Sequence, residues 1–314
     1  MEKNNKINIA ILGATGHIAK NLVVGLHTCK NYHLQLFARN QDNLRQFLIW
    51  NVNDRDNISI HGFDEFMQGN FNVIINCIGI GNPTTLIQSQ GHIFGITEKF
   101  DNLILDYLHK SQDTLYINFS SGAAYGSDYF VPATIDKQAC FNINDINNND
   151  FYSIAKLNAE AKHRAYSHFN IVDLRIFGFF SRFIDMESSY FINDLLRSVK
   201  ESKKLVTSSN DMIRDYIHPI DLLDIIDKCI ELHKINDVFD VYSMKSVSKF
   251  ELIDYFMRTF NIEVDVQNVT FQSPTGNKLN YYSNNNKLED IGYKPTYSSL
   301  DTISIETKAI LNLK

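Results

Sequence analysis

Residues 7–19 read INIAILGATGHIA, an apolar run that passes directly into a glycine-rich turn and a helix-like segment. A strand followed by such a turn at the start of a helix presents backbone N–H groups and the positive end of the helix dipole to a pyrophosphate. In this pattern the first glycine permits the tight turn and the second lets the backbone approach the phosphates. The stretch predicts a dinucleotide-binding turn, with an ordinary tight turn as the alternative. The expected contact residues are Gly13, Thr15, Gly16, His17 and Ile18.

Apolar runs and amphipathic segments alternate along the first half of the chain. The further runs span 33–38, 73–78, 115–120 and 171–177, and the amphipathic segments include 18–27, 100–109 and 152–169. Buried strands separated by helices are typical of a parallel sheet covered on both faces. The sequence therefore predicts an α/β fold built on a Rossmann-like, doubly wound parallel sheet. Cys77 and Gly79, near the end of the run 73–78, are expected beside the dinucleotide, with a plain loop as the alternative for the glycine.

This alternation stops after Gly178. Residues 181–210 have a mostly helical and then loop-like pattern, and 272–286 are polar and loop-like. We expect residues 1–178, joined by about 215–243, to form the dinucleotide-binding domain. A smaller, discontinuous substrate-binding domain is expected from about 179–214 and 244–314.

Two helix starts can be predicted in this second half, with a further helix after Ser299. Ser248 precedes Glu251 by three residues, which is a capping-box pattern for a helix over 249–260. Asp221 stands before the apolar helical run 222–232, where an aspartate is a normal N-cap. His218 lies in the same segment, and we interpret it as structural.

Composition limits the classes of partner. The 314 residues carry a formal net charge of −6, which argues against a nucleic-acid partner because that would require a basic face. The four cysteines are far apart and include no Cys-x-x-Cys pair, which favours free, mostly buried thiols over a disulfide framework or a zinc site. The apolar run 7–12 is too short for a signal peptide or a membrane span. We expect a cytoplasmic protein with no metal and no membrane partner.

The end of the second strand indicates the nucleotide cofactor. NAD sites usually place an acidic residue there, whose carboxylate holds the ribose 2′-hydroxyl. This chain has Ala38 and then Arg39. A guanidinium can instead bind a 2′-phosphate and stack on the adenine. The sequence favours NADP, with NAD still possible and a solvated surface arginine as the alternative role of Arg39.

A phenol and an ammonium lie one helical turn apart at Tyr152 and Lys156. Such a pair alone is compatible with an exposed helix surface. It follows the run 115–120, whose end continues as Ser120-Ser121-Gly122. A serine at the carboxyl end of a parallel strand lies where ligands of such sheets bind.

Together these stretches resemble the extended short-chain dehydrogenases/reductases, the group of sugar-nucleotide epimerases, dehydratases and reductases. The resemblance covers nearly the whole chain. It rests on 13–19, on the Ser-Ser-x-x-x-Tyr-Gly stretch at 120–126, on Tyr152 with Lys156, on 174–175, on RDYIHPID at 214–221 and on LEDIGYKP at 288–295.

The resemblance implies a mechanism. Tyr152 would be the general acid/base that exchanges a proton with the carbonyl oxygen, and Lys156 would lower the pKa of Tyr152 and hold the nicotinamide ribose. Ser121, selected by alignment on Gly126, would hydrogen-bond the same oxygen, and Ser120 would be its structural neighbour. Arg214 matches the arginine that contacts the substrate diphosphate in the family, with an interdomain ion pair as the alternative.

The departures from the family pattern favour one member. Dehydratases of the family carry Thr-Asp-Glu where this chain has Ser121, Gly122 and Ala123, and neither Gly122 nor Ala123 can transfer a proton. The 4-epimerases tend to have an acid closing the second strand and often an Asn where this chain has Gly178. These differences favour an NADPH-dependent reductase of the C4 ketone of a dTDP- or CDP-linked 4-keto-6-deoxyhexose, in deoxysugar or surface-polysaccharide biosynthesis.

Two alternatives remain at this point. One is a nucleotide-sugar 4-epimerase with bound NAD, and the other is a non-catalytic NADP sensor on the same fold. Sensors typically lose the tyrosine or the lysine, and this chain has both. Family members often dimerise through a four-helix bundle, which would use 100–109 and 152–169 here. We expect a homodimer, although stripes that face the sheet would explain the same apolar residues.

Overall fold

The computed structural model describes residues 6–80, 91–232, 234–268 and 278–313. The strands are β1 Ile7–Leu12, β2 Tyr32–Phe37, β3 Ile58–His61, β4 Val73–Asn76, β5 Leu115–Ser121, β6 Asn170–Ile176, β7 Leu205–Ser208, β8 Ile213–Arg214, β9 Asn236–Val241, β10 Val247–Ser248, β11 Val264–Gln267 and β12 Asn280–Tyr281. The α-helices are α1 His17–Leu26, α2 Gln41–Asn51, α3 His92–Lys110, α4 Asn148–Ala165, α5 Phe191–Glu201, α6 Pro219–Glu231, α7 Lys249–Phe260 and α8 Ser299–Ile310.

Seven strands form one parallel sheet in the order β3-β2-β1-β4-β5-β6-β9. The predicted doubly wound parallel sheet is therefore confirmed. The strand order reverses between β1 and β4, which is the place where ligands bind in open sheets of this kind. The prediction did not include β3. This strand, with the sequence ISIH, lies at the sheet edge with all four residues half-buried. Its apolar and polar residues alternate, so it contains no continuous apolar run.

The sheet is covered on both faces, and this explains the continuous apolar run of β1. Ile9 and Ile11 pack in one core cluster with residues of α1 and α6. Ala10 and Leu12 point the other way, into a cluster with Ile104 and other residues of α3. Successive side chains of a strand point to opposite faces, so both sets must be apolar.

The C-terminal part is built differently. Phe180, Leu195 and Phe256 belong to a separate core cluster formed with α5, α7 and α8. Two small sheets accompany it, one with the order β10-β8-β12 and one pairing β11 with β7. The segment 181–210 contains α5 and then β7 rather than a helix followed by a loop. The predicted loop over 272–286 includes β12, and its first part lies outside the described residues.

Two predictions about helix starts had different outcomes. Ser248 and Glu251 form the expected capping box at the start of α7. The prediction that Asp221 caps its helix was wrong, because α6 begins at Pro219 with His218 as N-cap. Proline is well suited to the first helical position. The buried Asp221 carboxylate instead accepts N–H groups of the distant residues Thr296 and Tyr297.

The cysteines are free but less buried than expected. Cys229 is buried, Cys29 and Cys77 are half-buried, and Cys140 is exposed. Within the described ranges, no group of three or more histidine, cysteine or acidic side chains could hold a metal ion. None of the helices in those ranges has the length and apolar character to cross a membrane.

Candidate active site

The glycine-rich turn lies between β2 and β4, at the carboxyl end of β1. Gly13 has a φ of +74°, and a Cβ there would lie 2.9 Å from Ile78 Cγ1. The N–H of Gly13 donates to the Phe37 carbonyl at 3.0 Å, and the N–H of Cys77 donates to the Leu12 carbonyl at 3.0 Å. Both the backbone conformation and the close approach therefore require glycine at position 13.

The start of α1 is suited to an anion. Gly16 is the N-cap, no side chain caps the helix, and its first turn contains no acidic residue. The unpaired N–H groups of a first turn carry partial positive charge. Thr15 is exposed at the turn, and Ile18 is half-buried in the first turn of the helix. These observations on the backbone fit the pyrophosphate of a dinucleotide.

His17 contributes no charge to this turn. Its Nε2 lies 2.8 Å from the Ser181 hydroxyl, and its ring packs edge-on against Phe179. Burial lowers the pKa of His17 to about 4, with the charge of Lys20 acting in the same direction. The side chain is therefore neutral near pH 7 and joins α1 to the segment after β6.

The carboxyl end of β2 has no acid for a ribose hydroxyl. Ala38 is buried, and the side chain of Arg39 is exposed. Asn40 is used by α2, where its side chain accepts the N–H of Asn43 at 3.0 Å. Leu12 and Phe37 are direct neighbours in the β1–β2 register, so Arg39 follows the strand end that borders the glycine-rich turn.

Lys156 is held at the end of β5. Its ammonium is buried, donates to the Phe119 carbonyl at 2.8 Å and lies 5.8 Å from the centre of the Tyr152 ring. A Cβ at Gly79 would lie 4.0 Å from the same nitrogen. The segment after β4 thus passes close to Lys156, and α4 places Tyr152 and Lys156 on one face.

The two serines at the end of β5 have different surroundings. Ser120 donates to Glu160 at 2.5 Å, and Glu160 forms an ion pair with Arg175 at 2.6 Å. Ser121 lies on the other side of the strand, where its buried hydroxyl is 3.0 Å from the hydroxyl of Tyr281 and accepts the Ala123 N–H at 3.2 Å. The structure thus brings Ser121 together with a tyrosine that the sequence analysis did not single out.

Tyr281 reaches this position through strand pairing. It lies in β12, directly opposite Arg214 in the parallel neighbour β8. The Tyr281 ring packs edge-on against Tyr129 with centroids 4.7 Å apart, and it also contacts Phe177. Burial is the main cause that raises the pKa of Tyr281 well above its usual value, so its phenol remains protonated.

Two basic side chains, Arg214 and Lys278, lie close to the Tyr281 ring. Partly buried Arg214 donates to the carbonyls of Ile213 and Lys278 at 2.8 and 2.7 Å. Buried Lys278 places its ammonium 4.5 Å from the centre of the Tyr281 ring. No acidic side chain of the described ranges pairs with either cation. Burial, followed by the charge of Arg214, lowers the pKa of Lys278 to about 7.

This arrangement suits an anionic ligand, because buried basic side chains that have no carboxylate partner among the described residues are costly to keep charged. Of these residues, Arg214 belongs to a motif visible in the sequence, whereas Lys278 and Tyr281 do not. Lys278 and Tyr281 lie in the stretch 272–286, whose polar composition predicts a loop. A Lys-x-x-Tyr spacing in a polar segment has no specific meaning. The signal that could have found them is the pairing of β12 with β8, which no local pattern predicts.

The sheet, the glycine-rich turn and the helix with Tyr152 and Lys156 define a dinucleotide-binding fold of the short-chain dehydrogenase/reductase class. The model of the NAD dependent epimerase/dehydratase family matches residues 9–243, and the chain belongs to that family. The resemblance to the extended members of this class is thereby confirmed. No curated protein matches the chain by sequence.

Several solved structures share the fold at low sequence identity. UDP-N-acetylglucosamine 4-epimerase from Methanobrevibacter ruminantium, in complex with UDP-N-acetylmuramic acid, has a TM-score of 0.81 at 15% identity, covering 98% of this chain and 99% of that one. UDP-glucose 4-epimerase from Thermotoga maritima, with UDP-glucose, has 0.79 at 15%, with coverage of 98% and 99%. dTDP-glucose 4,6-dehydratase from Bacillus anthracis, in complex with NAD, has 0.76 at 16%, with coverage of 98% and 97%.

Proposed function

We propose that this protein is an NADPH-dependent reductase of the C4 ketone of a nucleoside-diphosphate 4-keto-6-deoxyhexose. The proposed catalytic residues are Ser121, Tyr152 and Lys156. The packing of Gly122 and Ala123, directly beside Ser121, supports chemistry at C4 over dehydration, and the end of β2, with no acid at Ala38 or Arg39, favours reduction over epimerisation.

Gly122 and Ala123 cannot supply the acid and base that elimination of water requires. A Cβ at residue 122 would overlap the ring of Phe177, so no side chain fits there without movement of that ring. Ala123 is buried and has no group that exchanges a proton. Dehydration across C5 and C6 is therefore disfavoured, and chemistry at the C4 oxygen needs nothing from either residue.

In the proposed reaction the residues of this chain supply the proton and hydrogen-bond the C4 oxygen. The Tyr152 phenol transfers its proton to the C4 oxygen as that oxygen becomes an alkoxide, and solvent then restores the phenol. Ser121 donates a hydrogen bond to the same oxygen. Lys156, fixed by the Phe119 carbonyl, provides positive charge beside Tyr152. When bound, NADPH supplies the hydride that reduces C4.

The preference for NADPH rests on the end of β2. A carboxylate there would repel a 2′-phosphate, and buried Ala38 provides none. Exposed Arg39 follows the strand end next to the glycine-rich turn and can pair with that phosphate. The residues proposed to hold the dinucleotide are Gly13, Thr15, Gly16, His17, Ile18, Arg39, Cys77, Gly79, Tyr152 and Lys156.

A nucleoside diphosphate is the proposed anion for the cations beside Tyr281. Arg214 and Lys278 lie beside Tyr281, whose hydroxyl contacts Ser121, and neither has a carboxylate partner among the described residues. Two phosphates bound at this corner would neutralise both. The segments proposed to form this substrate-binding part are about 179–214 and 244–314, with residues 1–178 and about 215–243 forming the dinucleotide-binding domain.

A homodimer formed through α3 and α4 completes the proposal. The sheet covers Ile104 and Leu108 of α3, but it leaves Phe100 of α3 and Leu157 of α4 half-buried. Phe100 also packs against Phe63, so Leu157 and the exposed part of Phe100 are the surface proposed to meet a second copy of the chain. Light scattering at micromolar concentration should give twice the chain mass, and a monomer mass would contradict the dimer.

The decisive experiment for the reaction is a substrate panel. Purified protein is mixed with NADPH or NADH and with dTDP-, CDP- and UDP-linked 4-keto-6-deoxyhexoses, and loss of absorbance at the reduced nicotinamide band is followed. We expect turnover with a 4-keto sugar nucleotide and a lower KM for NADPH than for NADH. Interconversion of 4-hydroxyl epimers with tightly copurifying NAD would identify an epimerase instead. Cofactor binding without any turnover would identify a sensor.

A further inference from the structure

The Tyr281 hydroxyl contacts Ser121, so the hydrogen bonds that Ser121 can form determine what Tyr281 can do. A serine hydroxyl has one donor and two acceptor positions. The Ala123 N–H occupies one acceptor position of Ser121, at 3.2 Å. The Tyr281 hydroxyl lies 3.0 Å from the same oxygen, and either group could be the donor by distance alone.

The surroundings of Tyr281 indicate which group donates. Its phenol stays protonated, because burial raises its pKa. Among the described residues, the Tyr281 hydroxyl has no side-chain or backbone acceptor other than Ser121. A buried O–H that donates to nothing would be costly, so the Tyr281 proton points to Ser121. Both acceptor positions of Ser121 are then filled.

We propose that Tyr281 is a positioning residue that fixes Ser121 as a hydrogen-bond donor to the reacting oxygen of the substrate. With both lone pairs occupied, the Ser121 proton has one remaining use, which is the substrate oxygen. The bond from Tyr281 also polarises the serine O–H and makes it a stronger donor. This inference rests on the proposed function, since it assigns Ser121 to an oxygen that gains charge.

The Tyr281 ring is held firmly enough for this role. Tyr129 and Phe177 contact it at centroid distances of 4.7 and 5.2 Å, and the β12–β8 register fixes its backbone. The C-terminal segment therefore completes the hydrogen bonding of a serine that belongs to the central sheet. Residues of the sheet alone leave one acceptor position of Ser121 unfilled.

A double-mutant cycle tests the proposal. Tyr281→Phe retains the ring and removes only the hydroxyl, so kcat should fall about tenfold, the value of one hydrogen bond, while KM is unchanged. Ser121→Ala should lose about 10²–10³ in kcat. The double variant should turn over at the Ser121→Ala rate, because Tyr281 acts through Ser121. Tyr293→Phe is the matched control. It removes another buried phenol, which bonds the Tyr242 carbonyl at 2.8 Å, and should retain wild-type kcat.

The outcomes separate this inference from the proposed function. If no sugar nucleotide is turned over by the wild type, the proposed function fails, and the cycle is then measured in unfolding free energy. Additive effects there would overturn the Tyr281–Ser121 bond itself. If the wild type is active, either wild-type kcat in Tyr281→Phe or an additive loss in the double variant overturns the positioning role. Coupling in kcat, with an unchanged affinity for free nucleoside diphosphate, supports it.

Discussion

Two buried cations in different regions have opposite surroundings. His163, between α3 and β6, contacts Asp101 at 2.6 Å and Asp173 at 2.9 Å. Lys278, in the corner formed by β8 and β12, has no carboxylate partner among the described residues. Burial lowers the pKa of His163, but Asp173 and Asp101 outweigh it and raise the pKa to about 9. The pKa of Lys278 falls instead to about 7.

This difference distinguishes His163, which stabilises the fold, from Lys278, which belongs to the candidate site. The charge of His163 is neutralised inside the chain, so it contributes to folding. The charges at the β8–β12 corner have no carboxylate partner among the described residues, and in the proposed function a nucleoside diphosphate neutralises them. Changes near His163 should therefore alter the free energy of unfolding, and changes at Tyr152 or Lys278 should alter turnover or affinity and leave unfolding nearly unchanged.

The largest expected effect is in the site, at Tyr152. Tyr152→Phe should lower kcat by about 10²–10⁴, because the alkoxide loses its general acid. Unfolding and NADPH affinity should be unchanged, since the ring remains. Lys156→Met should lose both turnover and NADPH affinity. Steady-state kinetics and cofactor titration measure these effects, with Tyr166→Phe as a control. A Tyr152→Phe variant with wild-type kcat would refute the assigned mechanism.

The next effect belongs to the scaffold and depends on pH. The pKa of His163 is raised in the folded state, so its stabilising contribution is complete below about pH 6.5 and is lost as the pH rises through about 9. The loss should be on the order of 3 kcal/mol in the free energy of unfolding. Urea unfolding between pH 6 and 10 measures it. His163→Gln should be less stable and should lack most of this slope, and an equal slope in both proteins would exclude His163 as its source.

Gly13 contributes both to folding and to the candidate cofactor site, and its substitution tests both roles. Gly13→Ala forces an alanine into the left-handed region and against Ile78, which should cost about 1–2 kcal/mol in unfolding. NADPH affinity should fall as well, because the turn that faces the pyrophosphate must move. Gly95→Ala is the control. It lies in α3 with open space around the added Cβ and should be neutral or stabilising. Equal behaviour of the two variants would remove the argument for the turn.

The smallest change is expected at Lys278. Lys278→Met removes a buried cation without breaking an ion pair, so the free energy of unfolding should be unchanged or higher. The KM for the sugar nucleotide should rise about tenfold with kcat unchanged. Wild-type KM should also rise with pH above about 7, as Lys278 loses its proton, and the variant should lack that rise. A strongly destabilised variant with normal KM would place Lys278 in the scaffold.

The sequence predictions were accurate where the interactions join residues close in sequence and failed where they join distant ones. The end of β1, the glycine-rich turn and the start of α1 depend on neighbouring residues, and their bounds agreed with the structure to within a residue. The capping box of Ser248 is equally local. The role of Asp221 was mispredicted because its hydrogen-bond partners lie far along the chain.

The corner of the candidate site formed by β8 and β12 could not be predicted for the same reason. Its residues come together through a two-residue pairing of β8 with β12, which has no pattern of its own. Arg214 was found only through a resemblance to a family motif. Tyr281 and Lys278 had no such motif in this chain, and their proximity to Ser121 became visible in the folded structure.

The contact between Gly122 and Phe177 also restricts how this protein could evolve. A chain of this family that acquired an acid at position 122 would have to move or replace the ring of Phe177, which lies just after the neighbouring strand β6 and packs against Tyr129 and Tyr281. Loss of that ring would loosen the packing around Tyr281. An acid at position 122 thus requires an accommodating change on a separate segment, because the Phe177 ring occupies the space that its Cβ would need. The aromatic packing beside Ser121 therefore opposes the gain of an acid at position 122 by a single substitution.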